Sequence, residues 1–506
     1  MQVNKILKRD WLLLIVLILI SLSSQIIFIR PVTLSDQMAY YGTAVQFPRL
    51  PENPSHWSMR LGVVLPVAVL YRVFGHSEFV YYFLPISSTI LLVVSTYLIG
   101  RMLFNPLVGT AAAIWMSFLP YFLLESGNLL PDITASACIT TGIMLMLLIT
   151  NLSKRKKNWW IWMLVGAFFG WAYLSKEYFA VFAIIIPVFF WLFKIPKKDF
   201  LPVVIGVVAV IMVEFTLHTI AYGNPLQRLS TSQPRGTDGF IERDVLHILE
   251  LFFVRLAGYQ GWITVLIAAG GLIYLVVFSV KRSKTHRFLI AWILMIYLFL
   301  TAVGLLPTLL HWKNTVLLRL HLFRYWFPML PPLAIGSAAA LDHTLHILVK
   351  KISSKAKNRN TLYAFGMIFI FSAASIFNML AVQSSTKFLR NAGGHYQELR
   401  SYLQDKNRSG VKIWIVRDLK VGYEYVLPIF SHTTFGREVW NGRIKYLNTD
   451  GVFLKAEEIS DGSVLIDHVH FNPEAYPIPD YLEDIPDNWQ LAFESSNARI
   501  TIYDVP

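Results

Sequence analysis

Apolar residues run through this chain in long uninterrupted stretches, broken by short polar segments rich in Lys and Arg. The first such stretch is "WLLLIVLILISLSSQIIFI", from Trp11 to Ile29. Runs of roughly 20 apolar residues are the length that crosses ~30 Å of hydrocarbon as a helix. A membrane β-barrel would instead alternate apolar and polar residues in segments of about ten. The pattern predicts eleven spans: about 11–29, 79–99, 107–124, 133–152, 159–174, 179–193, 201–222, 262–280, 288–310, 326–341 and 362–380. The stretch "LGVVLPVAVLYRVFG" (61–75) is apolar but short, and Arg72 interrupts it. It is expected to lie in the interface or to re-enter, without crossing.

Basic residues set the sides. Lys5, Lys8 and Arg9 precede the first run, and "KRKK" (154–157), "KIPKK" (194–198), "KRSKTHR" (281–287) and "KKISSKAKNR" (350–359) follow later ones. Lys and Arg gather in cytoplasmic loops. With eleven spans every cluster falls on the cytoplasmic side, the N-terminus lies inside and the C-terminus outside. The first run has no small-residue cleavage site behind it and is expected to remain as a span.

From Gln383 onward the pattern changes. "HYQELRSYLQ" has helical spacing, while "VKIWIVR", "GSVLIDHV" and "ARITIYDV" read as strands. The expectation is an α-helical polytopic membrane domain over 1–382 and a small extracytoplasmic α/β domain over 383–506.

Composition agrees: 55% of the 506 residues are hydrophobic, and the mean hydropathy is +0.51. The formal charge of +14 resides entirely upstream of the tail, which holds 13 Lys and Arg against 17 Asp and Glu. The positive-inside bias accounts for it without a nucleic-acid partner. Cys138 is the single cysteine, so the tail has no internal disulfide.

Acids are scarce before the tail, numbering 14. Three (Asp10, Asp199 and Asp342) fall on the cytoplasmic side, and Glu214 falls inside a span; the rest fall at the outer ends of helices. A transporter is expected to place ionisable groups near the midplane on broken helices, so this distribution favours chemistry at the outer boundary. Asp36 begins the first outer loop, and Asp132 lies in the second with Glu125 nearby. Pro131-Asp132 before an apolar run also makes a good helix start. The outer side offers cations as well, among them Arg60, Lys176, Arg319 and Arg324, together with His311. Acids beside cations suit transfer of a sugar from a lipid phosphate to a hydroxyl. A carboxylate takes the acceptor proton, and cations hold the phosphate as its charge grows. No His spacing marks a metal site. Tyr40 and Tyr41 fit an interfacial belt or a sugar-stacking surface.

The segments "LSDQMAYYGTA", "RLGVVLPVAVLYRVFGHSEFVYYFLPI", "LLPDITASACITTGIMLML", "GAFFGWAYLSKEYFAVFAIIIP" and "FRYWFPMLPPLAI" cover most of residues 1–340. In order and spacing they resemble the GT-C superfamily of polyprenyl-phosphate-dependent glycosyltransferases, in the branch of protein O-mannosyltransferases and the lipid A aminoarabinose transferase. The resemblance implies a probe-ready set of roles. Asp36 becomes the catalytic base, and Asp132 a residue binding acceptor or metal. Lys176, Arg324 and Tyr325 come to lie near the donor phosphate. Many members carry Asp-Glu where this chain has Asp36-Gln37, which leaves a divalent cation open. The tail resembles no acceptor-recognition domain. The expected activity is an inverting hexosyl or pentosyl transfer to a lipid, surface glycan or protein; a transporter or flippase of lipid-linked sugars is the alternative.

Overall fold

The structure is a computed structural model. It describes residues 2–30, 32, 34, 36–52, 58–151, 159–231, 252–254, 256–258, 261–281, 283–309, 323–352, 359–405, 412–416, 422–431, 443–449, 452–468 and 484–506. Contacts divide the chain into two compact units. The first comprises 1–29, 59–63 and 85–384; the second comprises 30–58, 64–84 and 385–506.

The first unit is helical. Its helices are α1 (Gln2–Ile27), α5 (Pro106–Ser117), α6 (Pro120–Ser126), α7 (Pro131–Asn151), α8 (Trp159–Ser175), α9 (Ile185–Phe193), α10 (Phe200–Tyr222), α11 (Gln227–Thr231), α12 (Trp262–Val280), α13 (Lys284–Leu309) and α14 (Leu330–Ile352). Most of α4 (Glu78–Leu103) and the first half of α15 (Arg359–Asp405) belong to it as well. Among the described residues seven helices are long and apolar enough to cross a membrane. The other four expected spans coincide with shorter apolar helices, over 106–117, 159–175, 177–193 and 363–378. The protein is a multi-pass membrane protein.

Two expected spans are irregular. The run 107–124 breaks between Ser117 and Pro120, because Pro120 opens α6 at its first turn, where a missing N–H costs nothing. The run 179–193 begins as a 3-10 helix, Glu177–Ile184, before α9. The short apolar stretch forms α3 (Leu61–Phe74), with Pro66 inside it.

Helix α7 lies deepest, with 78% of its most apolar window buried, against 17% for the window in α10. Peripheral helices turn apolar side chains such as Trp191, Ile220 and Leu266 outward, as a lipid-facing surface requires. Helices α8 and α10 approach closely. A Cβ on Gly166 would run into the carbonyl of Val203, and one on Gly206 into the carbonyl of Met163. Small residues let membrane helices gain van der Waals contact where no hydrophobic effect drives association.

The second unit joins α2 (Asp36–Gln46), the rest of α3, the start of α4 and the tail. The tail carries a five-stranded mixed sheet, from β1 (Lys412–Ile415), β2 (Arg443–Tyr446), β5 (Gly462–Asp467), β6 (Gln490–Glu494) and β7 (Ile500–Val505), in the order β2-β1-β5-β7-β6. Strand β1 runs parallel to β2 and β5, and β7 runs antiparallel to β5 and β6. Strands β3 (Asn448–Thr449) and β4 (Val452–Phe453) form a small hairpin. All three expected tail strands appear, as β1, β5 and β7. The expected tail helix is the end of α15, and α16 (Tyr423–Ser431) joins it. Arg400 of α15 grips Glu78, with Nη2 donating to Oε2 at 2.9 Å.

Candidate functional site

Chain direction alone gathers one set of helix ends. Helix α7 departs at Pro131, α8 returns to Ser175, α10 returns to Tyr222, and the 3-10 turn Phe323–Met329 leads into α14. Asp132, Lys176, Glu177, Arg228 and Arg324 collect at these ends.

Asp132 is the centre. Pro131 starts α7, so Asp132 sits inside the first turn and is not its N-cap. A carboxylate there is favoured by the helix dipole. Its side chain is 1% exposed. Lys176 Nζ donates to Oδ1 at 2.5 Å, and the Tyr178 hydroxyl donates to the same oxygen at 3.3 Å. Arg324 Nε stands 3.6 Å from Oδ2.

Lys176 lies between α8 and the 3-10 helix that follows. Its ammonium sits 4.0 Å from the centre of the Tyr325 ring and 5.3 Å from that of Tyr178. Those two rings meet edge to face at 5.6 Å. Burial pulls the Lys176 ammonium down to about 7, with Arg60 and Arg324 adding to the fall and Asp132 opposing it.

A second group adjoins the first. Glu177 Oε1 accepts from Arg228 Nε at 3.0 Å and lies 3.9 Å from Arg60 Nε. Arg228 also donates to Glu214 Oε1 at 2.9 Å and to the Tyr173 carbonyl at 3.1 Å. Among the described residues these contacts join four cations to three carboxylates. Cations clustered in a low-dielectric setting can stabilise an anion, and growing negative charge most of all. Asp132 does not fit a divalent cation, because three cations surround it, and no group of three or more His, Cys, Asp or Glu side chains able to hold a metal occurs among the described residues.

The structure brings together Arg60, Asp132, Lys176, Arg324 and Tyr325 of the residues singled out in sequence. Glu125, in α6, is buried and accepts from Asn128 Nδ2 at 3.0 Å. His311 and Arg319 lie outside the described residues. Asp36, Tyr40 and Tyr41 belong to the second unit. Asp36 stands half-buried in the first turn of α2. Tyr40 and Tyr41 are fully buried, and Tyr41 packs on His76, Tyr81 and Tyr425. Tyr41 is therefore held by packing in this unit, which leaves its face covered where a sugar-stacking surface would need it open. Arg72, in α3, donates to the Phe47 carbonyl at 2.8 Å.

Sequence reasoning missed Tyr178 and Arg228. Glu214 was the available signal for Arg228, since an acid within a span calls for a partner.

Residues 63–218 match the family model for dolichyl-phosphate-mannose-protein mannosyltransferase. No curated protein matches the chain by sequence. Among solved structures, ArnT from Cupriavidus metallidurans bound to undecaprenyl phosphate is similar at a TM-score of 0.61 and 12% identity, over 98% of each chain. The oligosaccharyltransferase of Archaeoglobus fulgidus in its apo form is similar at 0.53 and 14%, over 99% of this chain and 75% of that one. The same enzyme tethered to an acceptor peptide matches at 0.51 and 15%, over 83% and 63%. What these structures share with the chain, over nearly its whole length in the first two cases, is the fold.

Proposed function

We propose that the protein is a membrane glycosyltransferase that moves a sugar from a polyprenyl phosphate to a hydroxyl of a lipid, surface glycan or protein, at the outer face of the cytoplasmic membrane. The carrying observation is the cation cluster at one end of the spans: Lys176 and Arg324 held against the buried Asp132. In this reading Asp36 takes the proton from the acceptor hydroxyl. The acceptor oxygen attacks the anomeric carbon, and the bond from that carbon to the phosphate oxygen breaks with inversion. The electron pair stays on the lipid phosphate, whose new charge meets Lys176 and Arg324. Asp132 is the counter-ion that orients both cations, and Tyr325 floors the ammonium. No step requires a metal. The undecaprenyl phosphate held by the structurally similar ArnT supports the donor class.

The test is purified protein with radiolabelled polyprenyl-phosphate sugar and a hydroxyl acceptor. Release of lipid phosphate coupled to glycosylated product is expected. Sugar-lipid crossing the bilayer of proteoliposomes without phosphate release would overturn the reading in favour of a transporter. The side of the tail is tested by Val452→Cys, at a position 72% exposed on β4, while native Cys138 is buried. A membrane-impermeant thiol reagent is expected to label it in spheroplasts; labelling only after lysis would place the tail inside.

A further inference from the structure

Three consecutive residues of α16 serve two different parts of the second unit. The Tyr423 hydroxyl donates to Asp467 Oδ2 at 2.6 Å, and Asp467 is the buried last residue of β5. Glu424 Oε2 accepts from the Tyr446 hydroxyl at 2.7 Å, and Tyr446 is the last residue of β2. Both bonds fix α16 to the sheet. Tyr425 instead meets α2: its hydroxyl oxygen accepts from Gln46 Nε2 at 2.8 Å, and Gln46 is the last residue of that helix.

The contact with α2 is close and follows one face. A Cβ on Gly42 would stand 2.5 Å from Tyr425 Cε2, and one on Gly422 would stand 2.6 Å from Met38 Cβ. Gly422 also has φ +68°, a conformation that glycine adopts without strain. The rings of Tyr41 and Tyr425 meet edge to face, 6.4 Å between centres. Met38, Gly42 and Gln46 recur every four residues, which puts them on one side of a helix. Asp36 precedes Met38 by two residues, about 200° around a helix of 3.6 residues per turn. Asp36 therefore starts on the side of α2 away from α16, and the tail backs the helix from behind. The helix has 11 residues. Helices shorter than about 12–15 residues are marginal by themselves, so packing must hold this one.

We propose that the tail takes part in transfer by holding α2 in place, with Tyr425 as the positioning residue that sets where Asp36 stands. The inference rests on the reading of Asp36 as the general base. Tyr425 touches no reacting atom. It passes the rigidity of the sheet, through α16, to the helix that carries the base. A base must reach the proton that it abstracts, so a helix that shifts takes its base out of use.

The test measures release of lipid phosphate from a radiolabelled polyprenyl-phosphate sugar, with a hydroxyl acceptor, by the purified full-length protein. Tyr425→Ala is expected to lower kcat by about 10–100-fold, the scale of a misplacement of ~1 Å. The donor KM should stay within about threefold of the parent, because Lys176 and Arg324 lie in the first unit. A raised donor KM with unchanged kcat overturns the proposal. Tyr425→Phe keeps the ring and is expected to retain kcat to within about threefold, the scale of one exposed hydrogen bond. A loss equal to that of Tyr425→Ala overturns the proposal. The double variant Asp36→Asn/Tyr425→Ala is expected to match Asp36→Asn within about threefold, since a residue that acts through the base has nothing left to position. A role that is structural alone predicts that the two losses multiply, so a larger further loss overturns the proposal. Where Tyr425→Ala does not fold, Tyr425→Leu enters the same cycle with the same expectations. If Asp36→Asn turns over like the parent, the base reading is wrong and this proposal falls with it. If Asp36→Asn is slow and the double variant is slower still, the Tyr425 proposal alone fails.

Discussion

Asp132 and Asp36 are both acids in the first turn of a helix, one in each unit, and they differ in burial. Asp132 opens the most deeply buried span and is 1% exposed, with Lys176, Tyr178 and Arg324 around its two oxygens. Asp36 opens a short helix whose buried residues include Gln37, Met38, Tyr40 and Tyr41, and it is half-buried. An acid whose lone pairs are turned to cations is a poor proton acceptor, because those cations favour its charged form. A general base must instead reach the proton that it abstracts. The proposed function gives the counter-ion's role to Asp132 and the base's role to Asp36, although both are aspartates in similar sequence positions.

The largest expected effect comes from Asp36→Asn. It should lower turnover by roughly 10²–10⁴-fold, the usual loss on removing a general base, while stability changes by less than ~0.5 kcal/mol. Asp132→Asn should show the opposite profile. Stability falls by about 3–5 kcal/mol, because buried cations lose their partner, and denaturant titration of the purified protein reads it. If Asp132→Asn keeps the parent's stability and loses turnover at saturating donor, the two roles must be exchanged.

Next comes the donor. Arg324→Ala and Lys176→Ala should each impair donor use by roughly 10–100-fold in donor titrations at saturating acceptor, at about 1.4 kcal/mol per decade. Arg72→Ala should not, since Arg72 binds the Phe47 carbonyl in the second unit. Loss of donor affinity in Arg72→Ala with the other two unaffected would move the donor site.

A smaller effect is expected from pH. The Lys176 ammonium is held down to about 7. Below that pH it is charged, as the proposed phosphate contact requires; above it the amine is neutral. Donor affinity should therefore fall as pH rises from 7 to 9, by at most about tenfold per unit. Lys176→Arg should flatten the profile, since a guanidinium stays charged throughout. The last effect concerns the stability of the second unit. A Cβ at Gly42 would stand 2.5 Å from Tyr425 Cε2. Gly42→Ala should cost about 1–3 kcal/mol by overpacking α2 against α16, measured by thermal melting.

Much of this was legible in the apolar pattern, because the bilayer demands long satisfied helices and leaves few alternatives. All eleven expected spans have a helical counterpart, and the tail strands emerged from alternation and their Gly and Asp borders. The break at Pro120 was not read, although a proline in the middle of an apolar run marks a helix start as readily as a kink. Lys176 and Asp132 were both singled out, yet for separate tasks. Their salt bridge spans 44 residues and depends on α7 and α8 forming an antiparallel pair, which no local spacing encodes. Arg228 was lost inside a long loop, since only the turn after Gly223 brings it back to Glu214. The burial of Tyr40 and Tyr41 was illegible for the same reason: an aromatic pair reads alike on a surface and in a core.

The close crossing of α8 and α10 has a mechanical consequence. Gly166 and Gly206 each leave room for the other helix's backbone, so neither helix can slide or roll without collision. The pair behaves as a single stiff strut. Lys176 at the tip of one member and Arg228 just past the tip of the other are carried on that strut and keep their spacing through any motion of it. Any rearrangement around these cations must therefore take place elsewhere, in elements that are not interlocked. Widening either glycine would loosen the strut and blur the alignment of the cations at its end, before any charged residue had been touched.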